Sequence, residues 1–289
     1  MPRSTLLGIV GDSAAGKTTL VRGLLRILGD GQATHLPADH YHRFDRRERA
    51  QNGLTPLSPE GNYLDILEQH LIQLRAGQPI LKPVYRHQDG TFGPAEYLRP
   101  ADITIVEGML GFHSPAMCDA YDVRVFLDPP EDVRRRWKVQ RDCSRRGYTT
   151  DQVLEELDHR EPDAEVHIRP QRHHADIVIS FMPGDAGDDE HLDVEVGLRP
   201  GLVHPDLSDG RSGGISLVER GANTCLRIPG TISAEHSAAI QEAVWDRLQF
   251  ARHLRTDRLG EFTVGVQLHR SETLAITQLL VLYQLITAR

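Results

Sequence analysis

Short apolar runs alternate with longer amphipathic ones over the first two-thirds of the chain. "STLLGIVGD", residues 4–12, is apolar at nearly every position, the pattern of a strand buried on both faces. "TTLVRGLLRILG" then predicts a helix stopped at Gly29, and "ATHLPAD" a second, shorter strand. In "NYLDILEQHLIQLRAG" the residues Ile66, Leu67, His70, Leu71 and Leu74 share one helical face, and Gly77 ends it. "ADITIVEG" and "DVRVFLD" are β-branched runs of the kind a buried parallel strand needs. "PPEDVRRRWKVQRDCSRRG" predicts a helix with Pro130 in its first turn and Gly147 after its last. "TTDQVLEELDHREP" predicts another, stopped by Pro162, and "ADIVISF" one more strand. This alternation predicts a doubly wound, mostly parallel α/β domain over residues 1–181.

At 182–191 the pattern breaks into "MPGDAGDDEH", a turn or linker signal. Strand-like runs follow in "LDVEVGL", "ISLVERG", "TCLRIPG" and "FTVGVQL". A helix is expected over "SAEHSAAIQEAVWDRLQFARHL" and a last one over "ETLAITQLLVLYQLI". Residues 192–289 therefore read as a C-terminal α+β extension that continues the sheet or pairs with a second copy.

Composition narrows the function classes. The 289 residues are 39% hydrophobic, enough for a sizeable core, and carry a net charge of −8. An acidic chain is poorly suited to nucleic acid or an anionic membrane, which both need a broad basic face. No apolar run approaches the ~20 residues of a membrane span, and the N-terminus lacks a signal-peptide pattern. The cysteines, Cys118, Cys143 and Cys225, are odd in number and widely spaced, with neither a disulfide framework nor zinc spacing. A reducing cytoplasm is the expected setting.

Against that background, "GDSAAGKT" matches G-x-x-x-x-G-K-[ST] between an apolar strand and a helix. Glycines let successive N–H groups turn toward phosphates, and the helix start adds a positive dipole end. Gly11, Asp12, Ser13, Ala14, Ala15, Gly16, Lys17, Thr18 and Thr19 are the expected ATP-binding residues, with Lys17 reaching the terminal phosphates and Thr18 holding Mg²⁺. In "ITIVEG" a strand ends in Glu107, at the edge where a parallel sheet presents its ligand, so Glu107 is a second candidate for Mg²⁺. A GTPase reads guanine with Asn-Lys-x-Asp; none of the three asparagines, Asn52, Asn62 and Asn223, precedes a lysine.

A small-molecule kinase needs a base, cations over the transferring phosphoryl and an acceptor pocket. "LPADHYHRFDR" places Asp39 just past a strand; if the segment is helical, His42 and Arg46 share its face with Asp39. Composition alone reads this stretch equally well as a wet loop. In "RRRWKVQRDCSRRGY" Arg134, Lys138, Arg141, Asp142 and Arg145 fall on one helical side, with Trp137 on another. Such a stripe fits a lid helix near 130–147, and a solvated basic helix is its plainer alternative. In "KPVYRHQDG" Tyr85 and His87 alternate along an extended run and point the same way, toward a pocket or simply out of an exposed hairpin.

Together with "LTPLSPEGNYLDILEQ", "KPVYRHQDGTFGPAEYL" and "IRPQRHHADIVIS", these stretches resemble the phosphoribulokinase/uridine kinase family of P-loop kinases, in family order over residues 8–180. The likeness is nearest to the form found in cyanobacteria and plants, whose closing segment "ETLAITQLLVLYQLI" also resembles. The resemblance implies transfer of the γ-phosphoryl of MgATP to O1 of ribulose 5-phosphate, giving ribulose 1,5-bisphosphate for carbon fixation. On matching positions Asp39 is the base, while His42 and Arg46 read the sugar phosphate. Tyr85 and His87 line the sugar site, and Glu107 is a second acid near the metal, so that Thr18, Glu107 and Asp39 form the candidate metal set. Lys138, Arg141 and Arg146 belong to the lid and the sugar-phosphate contacts, with Asp142 orienting them, and a homodimer is expected. The alternatives are a uridine kinase or another small-molecule kinase of the family, and a nucleotide-dependent regulatory protein without turnover; retention of Asp39, Glu107, Lys17 and Lys138 speaks against the last. Three positions depart from the family pattern. "EGML" replaces the usual "EGLH", leaving His113 further on; Arg86 stands where a small amide is usual; and Ala15 replaces the cysteine of the light-regulated plant form, so no thioredoxin switch is expected at this loop.

Overall fold

The first strand, β1 (Thr5–Gly11), is buried at all seven positions. Its side chains alternate between two cores: Leu7 and Ile9 enter one, Leu6 and Val10 the other. This computed structural model describes residues 3–184, 191–203, 205, 207, 214–220, 223–248, 254–264 and 267–288. After β1 come α1 (Lys17–Leu28), β2 (Ala33–Pro37), α2 (Arg46–Gln51), α3 (Leu64–Arg75), β3 (Ile80–Arg86), β4 (Thr91–Leu98) and β5 (Ile103–Gly108). The chain continues through α4 (Pro115–Ala120), β6 (Val123–Leu127), α5 (Glu131–Arg146), α6 (Thr150–Asp163), β7 (Ile177–Pro183) and β8 (Leu192–Leu198). It closes with β9 (Ser216–Arg220), β10 (Asn223–Ile228), α7 (Ala234–Trp245), β11 (Glu261–Val264), β12 (Gln267–Arg270) and α8 (Glu272–Thr287).

One eight-stranded sheet has the order β2-β5-β1-β6-β7-β8-β10-β9. The strands from β2 to β7 are parallel to their neighbours, and β8, β10 and β9 extend the sheet antiparallel. The mostly parallel α/β architecture is the expected one. β7 and β8 pair directly from Ile177↔Leu198 to Pro183↔Leu192. Residues 185–190, most of the segment read as a linker, lie outside the described residues. The ends of β1, β2 and β5 line up, with Ile9 and Pro37 both opposite Glu107. The crossover from β1 runs to β2 on one side and the connection from β5 runs to β6 on the other, which opens between β1 and β5 the crevice where doubly wound sheets bind ligands.

Helix α8 is buried at every position from Thr273 to Leu285, as its mostly apolar circumference requires. Two of its amides bond inside the fold: Gln278 Oε1 accepts from Gly260 N at 2.8 Å and Gln284 Nε2 donates to the Val203 carbonyl at 2.6 Å, while Gln278 Nε2 is buried without a hydrogen-bond partner. No helix among the described residues is long and apolar enough to cross a membrane.

Four local expectations are corrected. Pro162 does not stop α6: the chain continues through a π turn at Ala164–Ile168 and a 3-10 turn at Arg169–His174. A buried face running through Val153, Leu157, Ala164 and Ile168 holds the helix together across Pro162. Pro130 caps α5 rather than entering its first turn. "FTVGVQL" is not one strand but parts of two, β11 and β12, which pair antiparallel. The helix expected over 233–254 ends at Trp245, and residues 249–253 lie outside the described ones.

Candidate active site

The phosphate loop leaves β1 at Gly11 and enters α1 at Lys17. Ala14 at φ 67° and Gly16 at φ 97° hold left-handed backbone, which curls the loop back on itself. Lys17 is buried, and its Nζ donates to the carbonyls of Gly11 and Asp12 at 2.8 Å each. Burial lowers its pKa, while the charges of Asp39, Glu107 and Asp12 oppose the shift.

At the neighbouring strand ends, Thr18 Oγ1 donates to Glu107 Oε1 at 3.2 Å. Glu107 Oε2 is buried without a hydrogen-bond partner, and burial raises the carboxyl's pKa against the pull of Lys17. Asp39 follows β2 on a 3-10 turn, Ala38–His40, and its Oδ1 accepts from Met109 N at 3.2 Å. Gly108 allows this approach: a Cβ there would lie 2.7 Å from Ala38 Cβ and 3.3 Å from Asp39 Oδ1. Lys17, Thr18, Asp39 and Glu107, named separately from the sequence, thus converge on one edge. An all-oxygen set with an orphaned buried carboxylate oxygen fits a hard cation such as Mg²⁺. No group of three or more His, Cys, Asp or Glu among the described residues could hold a metal. A magnesium ion here would share its coordination with phosphates, as this ion usually does.

The basic side of α5 faces the phosphate loop instead of solvent. Arg134 Nη1 reaches Asp12 Oδ2 at 3.2 Å and the Ser13 carbonyl at 3.1 Å, and Arg141 Nη2 reaches Ser13 Oγ at 3.4 Å. Lys138 is buried against Asp142 Oδ2, while Arg141 Nε at 2.9 Å and Arg146 Nη1 at 3.5 Å share Asp142 Oδ1. Burial pushes Lys138 down to about 8. Burial pushes the Asp142 carboxyl up, but hydrogen bonds from Arg141 and Lys138 outweigh this and hold it below the usual range. Trp137 packs on the core with its ring 6.3 Å from Phe181. From α6, Arg160 adds a guanidinium whose Nε is buried without a hydrogen-bond partner.

The acceptor side departs from the helical reading of "DHYHRFDR". Asp39, His42 and Arg46 do not share a helix face, because the 3-10 turn ends at His40 and α2 begins only at Arg46, capped by Asp45. His42 is 3% exposed and Nδ1 lies 2.8 Å from Asn62 Oδ1. Asn62 Nδ2 donates to the carbonyls of Ser58 at 2.7 Å and Pro56 at 3.2 Å, which fixes the amide's orientation. Oδ1 is therefore the acceptor, His42 carries its proton on Nδ1, and Nε2 is left to accept a hydrogen bond. Burial and Arg49 push His42 down to about 4, so it is neutral at pH 7 and suits a hydroxyl better than a phosphate.

Tyr85 and His87 do meet, with ring centroids 5.1 Å apart, on a hairpin of β3 and β4 whose inner residue Tyr85 is buried. Tyr85 also packs edge-on to His42 at 4.6 Å. The guanidinium of Arg46 donates to the His87 carbonyl at 2.6 Å and so braces the hairpin turn. Arg49, one helical turn on, was missed by the sequence reading. It is buried, donates to Tyr85 Oη at 3.2 Å and lies over its ring. The spacing from Arg46 is the signal that could have found it. Lys82, also missed, is buried with its Nζ 3.4 Å from His40 Nδ1 and 2.8 Å from Glu96. The substituted "ML" of the strand-end loop points inward: Met109 and Leu110 are buried with Leu57, Ala164 and Ile168. His113 instead lines an open cavity of 590 Å³ beyond Asn62, bounded also by Arg43, Glu60 and Asp65. Apart from Asn62, which bonds His42, that cavity holds none of the groups that converge on the phosphate loop, and the chemistry points to the loop's own crevice.

Burial also pushes His35 and His40 down to about 4. Between pH 4 and 6.5 the unfolded chain binds protons at these positions that the folded chain does not. Stability is therefore present above pH 6.5 and lost on acidification through this window. Melting temperature should fall steeply from pH 6.5 toward 4. His42→Gln should flatten the slope by up to about 1.4 kcal/mol per pH unit. An unchanged slope would mean that His42 titrates as freely in the fold as outside it.

Residues 6–186 match the model of the Phosphoribulokinase / Uridine kinase family. The phosphoribulokinase of Synechocystis sp. is 36% identical over 183 residues, covering 63% of this chain and 55% of that protein. The chloroplastic phosphoribulokinase of Triticum aestivum is 29% identical over 218 residues, covering 68% and 54%. A uridine kinase of Lactococcus lactis is 29% identical over 187 residues, covering 62% of this chain and 89% of that protein. The chain thus spans about half the length of the curated phosphoribulokinases it matches. Among solved structures, the phosphoribulokinase from Rhodobacter spheroides superposes with a TM-score of 0.63 at 20% identity, over 86% of this chain and 98% of that one, a likeness of fold.

Proposed function

The chain belongs to the phosphoribulokinase/uridine kinase family, and from that premise we propose that it is an ATP-dependent kinase that phosphorylates a hydroxyl of a sugar phosphate, with ribulose 5-phosphate as the acceptor. One observation carries the reading. A candidate base, Asp39, and the phosphate-loop Lys17 occupy the same crevice, with Lys138 and Arg141 on one side and Arg46, Arg49 and Lys82 on the other. One cationic group suits the nucleotide phosphates. The other suits an acceptor that is itself anionic, since a neutral nucleoside needs an aromatic or apolar cleft instead.

In this reading Asp39 takes the proton of the acceptor hydroxyl as its oxygen attacks the γ-phosphorus and ADP leaves. Lys17 follows the terminal phosphates, and the cations of α5 face the charge that develops on the transferring group. Thr18 and Glu107, with Asp39 beside them, are the residues that would hold Mg²⁺, which neutralises phosphate charge when bound. Neutral His42 offers Nε2 to a sugar hydroxyl. Arg46 acts by bracing the His87 turn as well as by its charge.

The reading is tested by ADP release from ATP with ribulose 5-phosphate, ribose 5-phosphate, uridine and pantothenate as separate acceptors. Ribulose 5-phosphate should be turned over well above the others; preference for uridine would overturn the proposal in favour of the family's nucleoside kinases. Arg46→Ala should raise KM for the sugar phosphate about tenfold or more while leaving KM for ATP nearly unchanged, and equal effects on both would remove Arg46 from the acceptor side.

A further inference from the structure

Among the buried polar groups, Gln171 has no place in the chemistry described so far, yet it makes a dense set of contacts. It lies on the 3-10 turn that follows α6 and is 4% exposed. Its Oε1 accepts from Phe112 N at 2.8 Å. Its Nε2 donates to the Met109 carbonyl and to the His167 carbonyl, both at 2.7 Å. One amide therefore grips both ends of the short loop Met109–Phe112 and ties it to the π turn. The loop leaves β5 two residues after Glu107.

The same loop touches Asp39. The amide of Met109, whose carbonyl Gln171 holds, donates to Asp39 Oδ1. Beneath the loop, Met109 and Leu110 sit among Leu57, Ala164 and Ile168, so apolar packing sets its height. Packing of this kind does not fix direction. The rotation of the Met109 peptide planes is set by hydrogen bonds, with Asp39 taking the N–H and Gln171 the carbonyl. We infer that Gln171 is a positioning residue for Asp39, acting through the Met109–Phe112 loop. This deepens the function proposed above, because the importance of Asp39 belongs to that reading.

The physical content is a short mechanical chain. Without the Gln171 amide, the Met109 and His167 carbonyls and the Phe112 N–H lose a buried partner, and the loop turns to find others. The Met109 N–H then leaves the line to Asp39. A base displaced by even about 1 Å can lose about 10²-fold in rate without any change in nucleotide binding.

The test uses the full chain with whichever acceptor the wild type turns over. Gln171→Glu keeps an acceptor for Phe112 N–H but cannot donate to the two carbonyls; Gln171→Met removes all three bonds at similar volume. Each should lower kcat about 10- to 100-fold with KM for ATP within about twofold of wild type. Introduced into an Asp39→Asn background, each should cost less than about threefold more, because the residue acts through Asp39. An equal cost in both backgrounds would overturn the inference, as would a folded variant with wild-type kcat. Loss of the folded state in both variants would assign Gln171 to stability and overturn it too. A second readout needs no turnover: the Met109 amide, bonded to Asp39 Oδ1 in wild type, should be protected from hydrogen exchange, and Asp39→Ala and Gln171→Met should each lower that protection about tenfold or more. A Met109 amide blind to Asp39 overturns the coupling even where the acceptor is known. If no acceptor is turned over, the functional proposal fails separately, and the exchange of the Met109 amide still decides the geometry.

Discussion

Asp39→Asn should lower kcat by about 10²- to 10⁴-fold, the usual worth of a positioned general base, with KM for ATP little changed. The substitution is nearly isosteric, and the Asn carbonyl oxygen can still accept from Met109 N, so the local structure should survive. What is lost is the capacity to take a proton. Asp39 stands at the end of β2 beside β5, where the approach depends on Gly108, and it shares the crevice with Lys17 and Glu107. No other described carboxylate occupies that position on the acceptor side: Glu107 is engaged by Thr18, and Asp12 by Arg134. Steady-state ADP release with parallel thermal melts gives the answer. A folded Asp39→Asn protein within about threefold of wild-type kcat would remove Asp39 from proton transfer.

How much of this site could be read in the sequence depends on how local each feature is. The phosphate loop is encoded in eight consecutive residues, Gly11 to Thr18, and its flanking periodicities place it between strand and helix, where the structure has it. Glu107 was legible because a strand ending in a carboxylate has its position fixed by the sheet. The orientation of α5 was half legible: spacing grouped Arg134, Lys138 and Asp142, but only the fold shows that this side is buried against Ser13 and Asp12. His42 shows where local reading fails. Its neutrality and its tautomer come from Asn62, Ser58 and Pro56, a distant segment whose meeting with "DHYH" no periodicity announces. Spacing puts Arg46 on a helix face with Asp39 and the resemblance makes it a reader of the sugar phosphate, while its guanidinium is partly committed to a carbonyl of a hairpin that closes only in three dimensions. Pro162 failed for a different reason, since a continuous buried face and a π turn outweigh the local preference of one residue.

Lys138 carries the second large effect, and its signature lies in pH. The side chain is 3% exposed and paired with Asp142, one helical turn along α5. Burial pushes its pKa down to about 8, so the ammonium is the main form at pH 7 and is lost as pH rises through about 8. If this cation faces the charge that develops on the transferring phosphoryl, Lys138→Met should lower kcat about 10²- to 10³-fold, the range for losing one preorganised electrostatic partner. The wild-type profile of kcat/KM for ATP, which reports groups of the free enzyme, should bend downward with a midpoint near pH 8. Lys138→Arg separates charge from geometry. A guanidinium stays protonated through this range, so the alkaline limb should disappear even if the absolute rate drops because the longer, planar group fits Asp142 differently. Asp142 keeps Arg141 and Arg146 as partners in all three proteins, so the helix should hold its place and the comparison should read the cation itself. A limb that persists unchanged in Lys138→Arg would have to come from another group, and Lys138 would then be a structural partner of Asp142 only.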